Sequence, residues 1–444
     1  MRSNMNYKKL KTVFAIFVAT STLMIPQKMS LNDCIKSGLE NSKSLLISTT
    51  NIARNEGLNE EFSAATLPQV KFFASYSRLS DVPNSEIKLP FLPNPIVLQE
   101  PILNSYNLRL NVTQPLFTGN RISSQVKGIE NQTKVLKADY EILQNEESLK
   151  IIVAYYNLSA AMEQLKLVNE NITMMQKRLT DVNDFLDNGL STRNDVLKVE
   201  VQISNLISKR IDTEISINSA KAQLNSAMGR DINTPLEIDE FSFNMLEAEG
   251  EFESMREMAK TKRGEFNSLA LKQEVLEENL NVARSGYLPD LFLSSNLYYS
   301  NPTQRIFPQK EEFRTTWDVS LNLQWNVLDW GSTSAKVEQV NQSIKGLQTT
   351  KRQVEDAIDN EVYQNYILFN GAKEKLVNLE KTLEQAEENY RVTLENYKAQ
   401  NATATDLLDA DTLLYTAKIN LQLARINIVV SDYKLKKSTG RPLF

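Results

Sequence analysis

Residues 105–113 are Ser-Tyr-Asn-Leu-Arg-Leu-Asn-Val-Thr, and residues 317–327 are Trp-Asp-Val-Ser-Leu-Asn-Leu-Gln-Trp-Asn-Val. In both stretches apolar and polar side chains alternate strictly. Because successive side chains of a β-strand point to opposite faces, this alternation predicts strands with one oily face and one wet face. The pattern alone fits a half-buried sheet of a soluble protein equally well.

Each of these strands has a weaker partner nearby in the chain, at about 69–79 and at about 290–300. The alternation is less strict there, because Phe73 and Phe292 interrupt the polar face. The four segments together predict two β-hairpins.

Three features favour a membrane location for these strands. They are 9 to 11 residues long, which is enough to cross a bilayer when the strands are tilted. The wet face carries Arg109 and Asp318 among uncharged polar residues, as a water-filled lumen would. Aromatic residues gather at the strand ends, as in an interfacial girdle: Tyr298, Tyr299, Trp317 and Trp330.

Four strands cannot close a barrel, since the smallest known membrane barrels have about eight. A barrel would therefore have to be shared by several chains. The hairpin loops, residues 80–104 and 301–314, would then face outward. Five prolines fall in the first loop, and proline there is expected to discourage further strand pairing.

The composition argues against nucleic-acid binding and against most catalysis. The 444 residues include 50 Lys and Arg, 55 Asp and Glu, one Cys and no His, with a net charge of −5. A nucleic-acid binder usually shows a basic field. Without histidine there is no Ser-His-Asp relay and no histidine-containing zinc site. No P-loop and no G-x-G-x-x-G motif is present, so no cofactor is expected. Paired carboxylates remain as a route to catalysis.

Residues 1–29 have the layout of a secretory signal peptide. A basic start with Arg2 and three lysines precedes the uncharged, mostly apolar run 13–25. The alternative is a cytosolic N-terminal helix. Cys34, just beyond, is expected in the core of the first helix. No later stretch approaches 18 apolar residues, so no transmembrane helix is expected.

The distribution of proline predicts two very long helices. Proline is absent between Pro115 and Pro235 and between Pro308 and Pro442, and proline inside a helix costs about 3 kcal/mol. We expect long helices at about 120–187 and about 332–398, each about 100 Å long. In the second, apolar residues recur at coiled-coil spacing.

Shorter helical segments are expected to pack along the long ones. They are predicted at about 31–66, 192–228, 252–285 and 403–438. The outer two, placed end to end, match the length of one long helix, and so do the middle two. We therefore expect the N-terminal helix to stack on the C-terminal one.

The breaks between long and short helices have the chemistry of tight turns. At the first, Gly189 suits a left-handed helix end, and Ser191 or Thr192 suits an N-cap. At the second, Asn401 is the expected cap. The two breaks predict helical tips.

The chain repeats itself at a constant offset. Residues 114–119, Gln-Pro-Leu-Phe-Thr-Gly, correspond to residues 325–330, Trp-Asn-Val-Leu-Asp-Trp, an offset of 211 residues. At the same offset Gly229 falls on Gly440. The predicted units are a first repeat, 30–251, with a hairpin at about 69–117 and a long helix at 120–187, and a second repeat, 252–444, with a hairpin at about 290–327 and a long helix at 332–398.

These motifs, in this order, resemble the TolC family of outer-membrane efflux channels. The resemblance rests on "LP" before the strands, "QPLFTG" and "WNVLDWG" at the corners, "NGLSTRNDVLKVE" and "ATATDLLDADTLLYTAK" at the tips, and the terminal "STGRPLF". It covers roughly residues 30–444. The resemblance implies a homotrimer, an α+β membrane protein whose 12-stranded β-barrel lies in outer-membrane lipid and continues as a periplasmic α-helical barrel. Residues 230–251 would belong to a belt around its middle.

The resemblance also implies partners and a role. The partners would be a periplasmic adaptor and an inner-membrane pump of the RND, ABC or MFS type, with no nucleic acid. The chain would be the passive exit duct of a tripartite efflux or type I secretion system. The alternatives are a soluble periplasmic coiled-coil scaffold and an enzyme that uses carboxylate pairs. The cargo is left open, since a wide tunnel has little need of specific pockets.

The most specific candidate site is the second tip. Asp406 and Asp409 are three residues apart and share a helix face. In a trimer they would form an acidic ring at the tunnel mouth, as the resemblance implies, which would favour cations and can bind a multivalent cation. The alternative is a structural role, because an aspartate in a first helical turn is stabilised by the helix dipole.

Tyr397 and Asp195 resemble residues that hold the family's entrance shut, although Ala402 replaces an arginine of that network. Helix packing and N-terminal charge placement are the alternative roles. The tip residues are candidates for adaptor docking: Asn188, Gly189, Leu190, Gln400, Asn401 and Ala402.

Overall fold

The computed structural model describes residues 28–81, 83, 85–87, 90–99, 101–244, 250–307 and 309–444. The predicted signal peptide lies outside these residues except for its last two positions. The helices are α1 (Leu31–Asn41), α2 (Lys43–Ala64), α3 (Arg121–Asp187), α4 (Arg193–Ala227), α5 (Phe252–Lys262), α6 (Gly264–Arg284), α7 (Ser332–Lys398) and α8 (Ala404–Ser438). The strands are β1 (Gln69–Arg78), β2 (Ser85–Ile87), β3 (Ile96–Gln99), β4 (Asn104–Phe117), β5 (Asp290–Asn301) and β6 (Arg314–Gln324).

The two long helices are confirmed and are equal in length. α3 and α7 each contain 67 residues, which corresponds to about 100 Å. Each follows its strand through a left-handed corner, at Asn120 with φ 66° and at Gly331 with φ 83°. α4 and α8 each contain 35 residues. In the part of the chain that the structure describes, no helix has the length and apolar character needed to cross a membrane.

Two of the predicted shorter helices are broken. The segment expected at about 31–66 divides at Ser42, whose extended backbone (ψ 119°) and side chain cap α2. The segment expected at about 252–285 divides at Arg263, which is also extended (ψ 127°). The prediction of continuous helices was wrong because both breaks depend on contacts with distant parts of the chain.

Those contacts come from the turns that end α4 and α8. A Cβ on Gly229 would lie 2.6 Å from the carbonyl oxygen of Asn41. A Cβ on Gly440 would lie 2.7 Å from the carbonyl carbon of Lys262. Both glycines have left-handed φ angles, of 70° and 71°. Glycine therefore permits each turn to approach the break of another helix closely.

This arrangement corrects the predicted stacking. The N-terminal helix α1 meets the end of α4, and α5 meets the end of α8, so the N-terminal helix does not stack on the C-terminal one. α3 packs against α1, α2, α4 and α6 and also contacts α8, while α7 packs against α5, α6 and α8. The four shorter segments are similar in length, so their lengths alone did not determine which segment stacks on which.

The main sheet has four antiparallel strands in the order β1-β4-β5-β6. The two predicted hairpins are confirmed, and β4 joins them by pairing with β5. β6 begins at Arg314 and ends at Gln324, so the predicted end at residue 327 was wrong. β1 and β6 lie at the edges and have no partner strand on their outer sides within the described residues.

The proline-rich loop contains its own small sheet. β2 and β3 pair as antiparallel strands within it, although proline was expected to discourage further pairing. Both strands avoid the prolines, since β2 ends before Pro90 and β3 begins after Pro95. Proline prevents pairing only where it removes a needed N–H group, and here it lies in the connection.

The largest buried cluster lies where α1, α3 and α4 meet. It contains Cys34, which is fully buried as expected, together with Ile151, Leu158 and Leu224. Burial raises the pKa of the Cys34 thiol to about 12, so this thiol acts as a small core side chain. A second cluster, at the tips, brings the ends of all four tip helices together.

Candidate functional site

The first helical tip connects α3 to α4. Gly189 takes a left-handed φ of 72°, as expected, and the N–H of Leu190 donates to the carbonyl of Phe185 at 2.7 Å. Thr192 is the N-cap of α4 and forms a capping box with Asp195. Of the two predicted caps the structure therefore uses Thr192.

The second tip repeats this geometry between α7 and α8. Gln400 takes the left-handed conformation, with φ 60°, so the prediction that Asn401 is the cap was wrong. Thr403 is the N-cap of α8 and forms a capping box with Asp406. Oδ2 of Asp406 accepts from the Thr403 N–H at 2.8 Å and from its hydroxyl at 2.7 Å. The hydrogen bonds from Thr403 hold the pKa of Asp406 below its usual value.

The two carboxylates of the predicted acidic ring are both exposed. Asp406 also serves the cap, while Asp409 lies one turn further along α8. Asp195 is the counterpart of Asp406 at the first tip, because hydrogen bonds from Thr192 lower its pKa in the same way. The capping box accounts for one aspartate at each tip, and it leaves Asp409 without such a structural role.

Tyr397 and Asp195 are near each other at the tips but are not hydrogen-bonded in this structure. Tyr397 is buried, lies 5.6 Å from the Phe185 ring between centroids, and its hydroxyl has no hydrogen-bond partner among the described residues. Ala402 is half-buried against the same apolar cluster. Lys198 makes a contact that the sequence did not predict: its Nζ lies 3.5 Å from Asp195 and donates to the Thr405 hydroxyl at 2.8 Å. Lys198 thereby joins the two tips.

The polar face of the main sheet carries a continuous hydrogen-bonded chain. The Asn111 amide donates to Asn296 at 2.9 Å, and the Asn296 amide donates to Asp318 at 2.8 Å. Phe73 lies on this face directly opposite Arg109 in the strand register, and the Arg109 guanidinium stacks over its ring, 4.4 Å from the centroid. Phe73, which interrupts the polar pattern, therefore supports a cation.

The predicted aromatic girdle divides between the two faces. Tyr299 and Trp317 lie on the oily face, and Trp330 is 90 % exposed at the opposite end of the sheet. Tyr298 pairs with Thr316 on the polar face and carries the Arg305 guanidinium over its ring. The prediction that Tyr298 belongs to the girdle was wrong, since neighbouring residues of a strand face opposite sides of the sheet.

Comparison with known proteins decides the family. The model of the family described as outer membrane efflux protein matches residues 34–230 and 256–441. The chain belongs to the outer membrane efflux proteins. The predicted channel function and outer-membrane location are thereby confirmed for this chain, and the soluble scaffold is not favoured.

Individual relatives of this outer membrane efflux protein are distant. The outer membrane protein TolC of Vibrio cholerae is 23% identical over 338 residues, which cover 74% of this chain and 76% of the relative. The alkaline protease secretion protein AprF of Pseudomonas aeruginosa is 22% identical over 391 residues, covering 85% and 77%. The solved structure of VceC from Vibrio cholerae covers 93% of this chain and 97% of its own, with a TM-score of 0.75 at 15% identity. It shows the fold.

One charged cluster of this efflux protein was missed by the sequence analysis. Asp411 on α8 is 1% exposed and faces Arg178 on α3, whose Nε lies 3.8 Å from its Oδ2. Nη2 of Arg178 donates to the Tyr390 hydroxyl on α7 at 3.2 Å. Neither carboxylate oxygen of Asp411 has a hydrogen-bond partner among the described residues.

The sequence did contain a sign of this cluster. Asp411 lies between the buried Leu407 and Leu414 at helical spacing, and Arg178 lies between the buried Met175 and Val182. A charge on an apolar seam indicates a buried ionic contact. Burial raises the pKa of Asp411 to about 6, while Arg178 opposes the rise. Among the residues described, no group of His, Cys, Asp or Glu could hold a metal ion.

Proposed function

We propose that three copies of this chain assemble into a single conduit across the outer membrane and periplasm. Each chain supplies four strands, and three sets would close a 12-stranded barrel by pairing the free edge of β1 with that of β6 in a neighbour. The observation that carries the proposal is the sheet itself: it has two open edges, an exposed oily face and a hydrogen-bonded polar face. A single chain leaves these features unsatisfied.

The helices support the same assembly. α4 exposes Val201, Ile211 and Ile215 along one stripe, and α7 exposes Tyr363 and Ile367. Ile211 and Ile215 are four residues apart, as are Tyr363 and Ile367, and exposed apolar side chains at this spacing form a seam for a partner helix. In the trimer a neighbouring copy would cover these stripes. The family match in two segments supports two repeats, each with one long and one short tip helix.

The conduit would work as a passive exit duct. An inner-membrane pump of the RND, ABC or MFS type and a periplasmic adaptor would deliver the cargo, and the polar face of the sheet would line the outer end. The exposed tips are the proposed adaptor surface: Asn188, Gly189, Leu190, Gln400 and Asn401. Leu190 is an exposed apolar residue on this surface, which suits burial by a partner. Ala402 packs inward and is a weaker candidate.

Asp406 and Asp409 are proposed as the acidic ring at the tunnel mouth. Six carboxylates from three copies would attract cations and exclude anions. Tyr397 and Asp195 would help to close the tunnel mouth through the packing of the tips rather than through a direct hydrogen bond.

The test is single-channel conductance of the purified protein in planar bilayers, with the oligomer mass measured in detergent. We expect a trimer with discrete, cation-selective steps. Asp409→Asn is the sharpest variant, because it removes a ring charge without touching the capping box, and it should weaken cation preference. Asp212→Asn, an exposed carboxylate in the middle of α4, is the control. Protein that stays monomeric and inserts no channel would refute the duct. If Asp409→Asn forms channels with the selectivity of the natural chain, the duct proposal stands and the acidic ring is refuted.

A further inference from the structure

The loop after β5 bends over the polar face of the sheet instead of extending away from it. Thr303 is only 3% exposed. Residues 302–305 form one wall of a cavity of about 350 Å³, and polar-face residues of the strands form the other wall: Ser75, Ser105, Asn107, Tyr298, Ser300 and Thr316. We call residues 302–305 the strap.

Arg305 anchors the strap to the sheet at three points. Its Nη1 donates to the carbonyl oxygen of Trp317 at 3.1 Å, and its Nη2 donates to Oδ2 of Asp318. Its guanidinium also lies over the Tyr298 ring, 4.6 Å from the centroid. A planar guanidinium presents separate N–H donors and a flat face, so it can contact a carbonyl, a carboxylate and an aromatic ring at once.

Residues outside the loop position the Asp318 carboxylate that Arg305 contacts. Oδ1 of Asp318 accepts from the Asn296 amide at 2.8 Å, and Asn296 in turn accepts from the Asn111 amide at 2.9 Å. These side chains hold the carboxylate in place across β4, β5 and β6. An exposed ion pair alone contributes little to stability. Here the pair is combined with a cation–π contact and a carbonyl hydrogen bond, so its position on the face is well defined.

From these contacts we infer that the strap narrows the outer end of the conduit, and that Arg305 determines the charge presented there. The inference rests on the proposed function, in which the polar face lines the lumen. Three straps, one from each copy, would project over that face, and each Arg305 would neutralise one Asp318. Small cargo and ions would pass beside Arg305, whereas larger cargo would require release of the strap.

The two partners of the anchor give opposite expectations for selectivity. Arg305→Ala should release the strap and leave Asp318 unpaired, so the unitary conductance should rise and the reversal potential should shift toward cation preference. Asp318→Asn should also raise the conductance, but it leaves the cation in place and should shift the reversal potential toward anion preference. Lys310→Ala is the control, since it removes a cation from the same loop outside the strap.

A labelling experiment tests the strap without relying on conduction. Thr303→Cys should resist a hydrophilic maleimide in the otherwise natural chain, because position 303 is covered. In combination with Arg305→Ala it should react about tenfold faster or more, as expected when a charge-assisted and a cation–π contact are lost together. The natural Cys34 is buried and provides the unlabelled background.

The outcomes separate the two proposals. Equal labelling of position 303 with and without Arg305 would overturn the strap, whatever the channel does. Unchanged conductance and selectivity in both anchor variants would overturn its role at the outer end while leaving the duct intact. Absence of any channel from the natural chain, with labelling as expected, would refute the duct, and with it the strap's role at the outer end, but not the seating of the strap.

Discussion

Replacing Asp411 with asparagine is expected to stabilise the packing of α3 against α8 at neutral pH. The carboxylate is buried, and the nearest cation, Nε of Arg178, lies 3.8 Å away, beyond hydrogen-bonding distance. Burial raises the pKa of Asp411 from 3.8 to about 6 in spite of Arg178. The folded chain therefore favours the neutral form, which asparagine imitates at every pH. Arg178 keeps Tyr390 and Asp181 as neighbours.

The size and sign of the effect follow from the two pKa values. One pKa unit corresponds to about 1.4 kcal/mol, so the charged form of Asp411 costs on the order of 3 kcal/mol at pH 7. Because the pKa of Asp411 is raised in the folded state, protonated Asp411 contributes to the free energy of unfolding. This contribution is fully present below pH 3.8 and is lost as the pH rises through about 6. Lowering the pH from 7 to 5 should therefore stabilise the natural chain by about 1 kcal/mol. The same change should leave Asp411→Asn almost unaffected.

The assay is thermal unfolding in detergent, followed by helical circular dichroism at several pH values from 5 to 7. The chain has no histidine, so the side chain that usually titrates in this range is absent. Asp409→Asn, an exposed aspartate two residues earlier, is the matched control and should keep the pH dependence of the natural chain. The charged and titratable groups that face Asp411 from the packed helices are Arg178 on α3 and Tyr390 on α7, and Asp181 contacts Arg178 in turn. If Asp411→Asn shows the same slope as the natural chain, or if the natural chain is more stable at pH 7 than at pH 5, the reasoning is wrong.

Three further outcomes are expected from other parts of the chain. Arg263→Ala should lower the free energy of unfolding by about 2 kcal/mol or more in chemical denaturation, since it removes the guanidinium from the part-buried Glu265 carboxylate and the buried Ser438 carbonyl; a loss below about 1 kcal/mol would contradict this. Gly440→Ala should destabilise more than Gly189→Ala, because both have left-handed φ angles but only the first would place a Cβ against another backbone; the second should cost about 1–2 kcal/mol, and equal losses would refute the close approach. Thr403→Val should cost about 1 kcal/mol and increase amide hydrogen exchange in the first turn of α8, and unchanged exchange would show that the capping box contributes nothing.

Much of the tip geometry could be predicted locally. Gly189 is predicted as the helix end and Ser191 or Thr192 as the N-cap, because the conformational preferences of these residues act within a few residues. Asn401 is the expected cap on the same grounds, whereas Gln400 takes the left-handed conformation in the structure. The left-handed position is fixed by where α7 ends, and the packing of Tyr397 into the tip cluster contributes to that end point.

The charged contacts were harder to predict than the helices. Asp411 and Arg178 each stand on an apolar seam, but the chain carries 105 charged residues, and nothing local assigns one to another. Their pairing requires the contact between α3 and α8, which are far apart in sequence. Arg305 was missed for a different reason: its three partners lie on β5 and β6 of its own hairpin, and the local pattern does not show that the connecting loop folds back over the polar face.

The sequence by itself determined the elements of this protein: strands from strict alternation, long helices from the absence of proline, and tips from capping residues. These are local properties, because a strand or helix is specified by the spacing of its own side chains. Only the tertiary structure decided which short helix stacks on which, where the helices break, and which face each aromatic residue occupies. Those outcomes depend on close approaches such as Gly229 against Asn41 and Gly440 against Lys262, which arise between segments that the sequence keeps far apart.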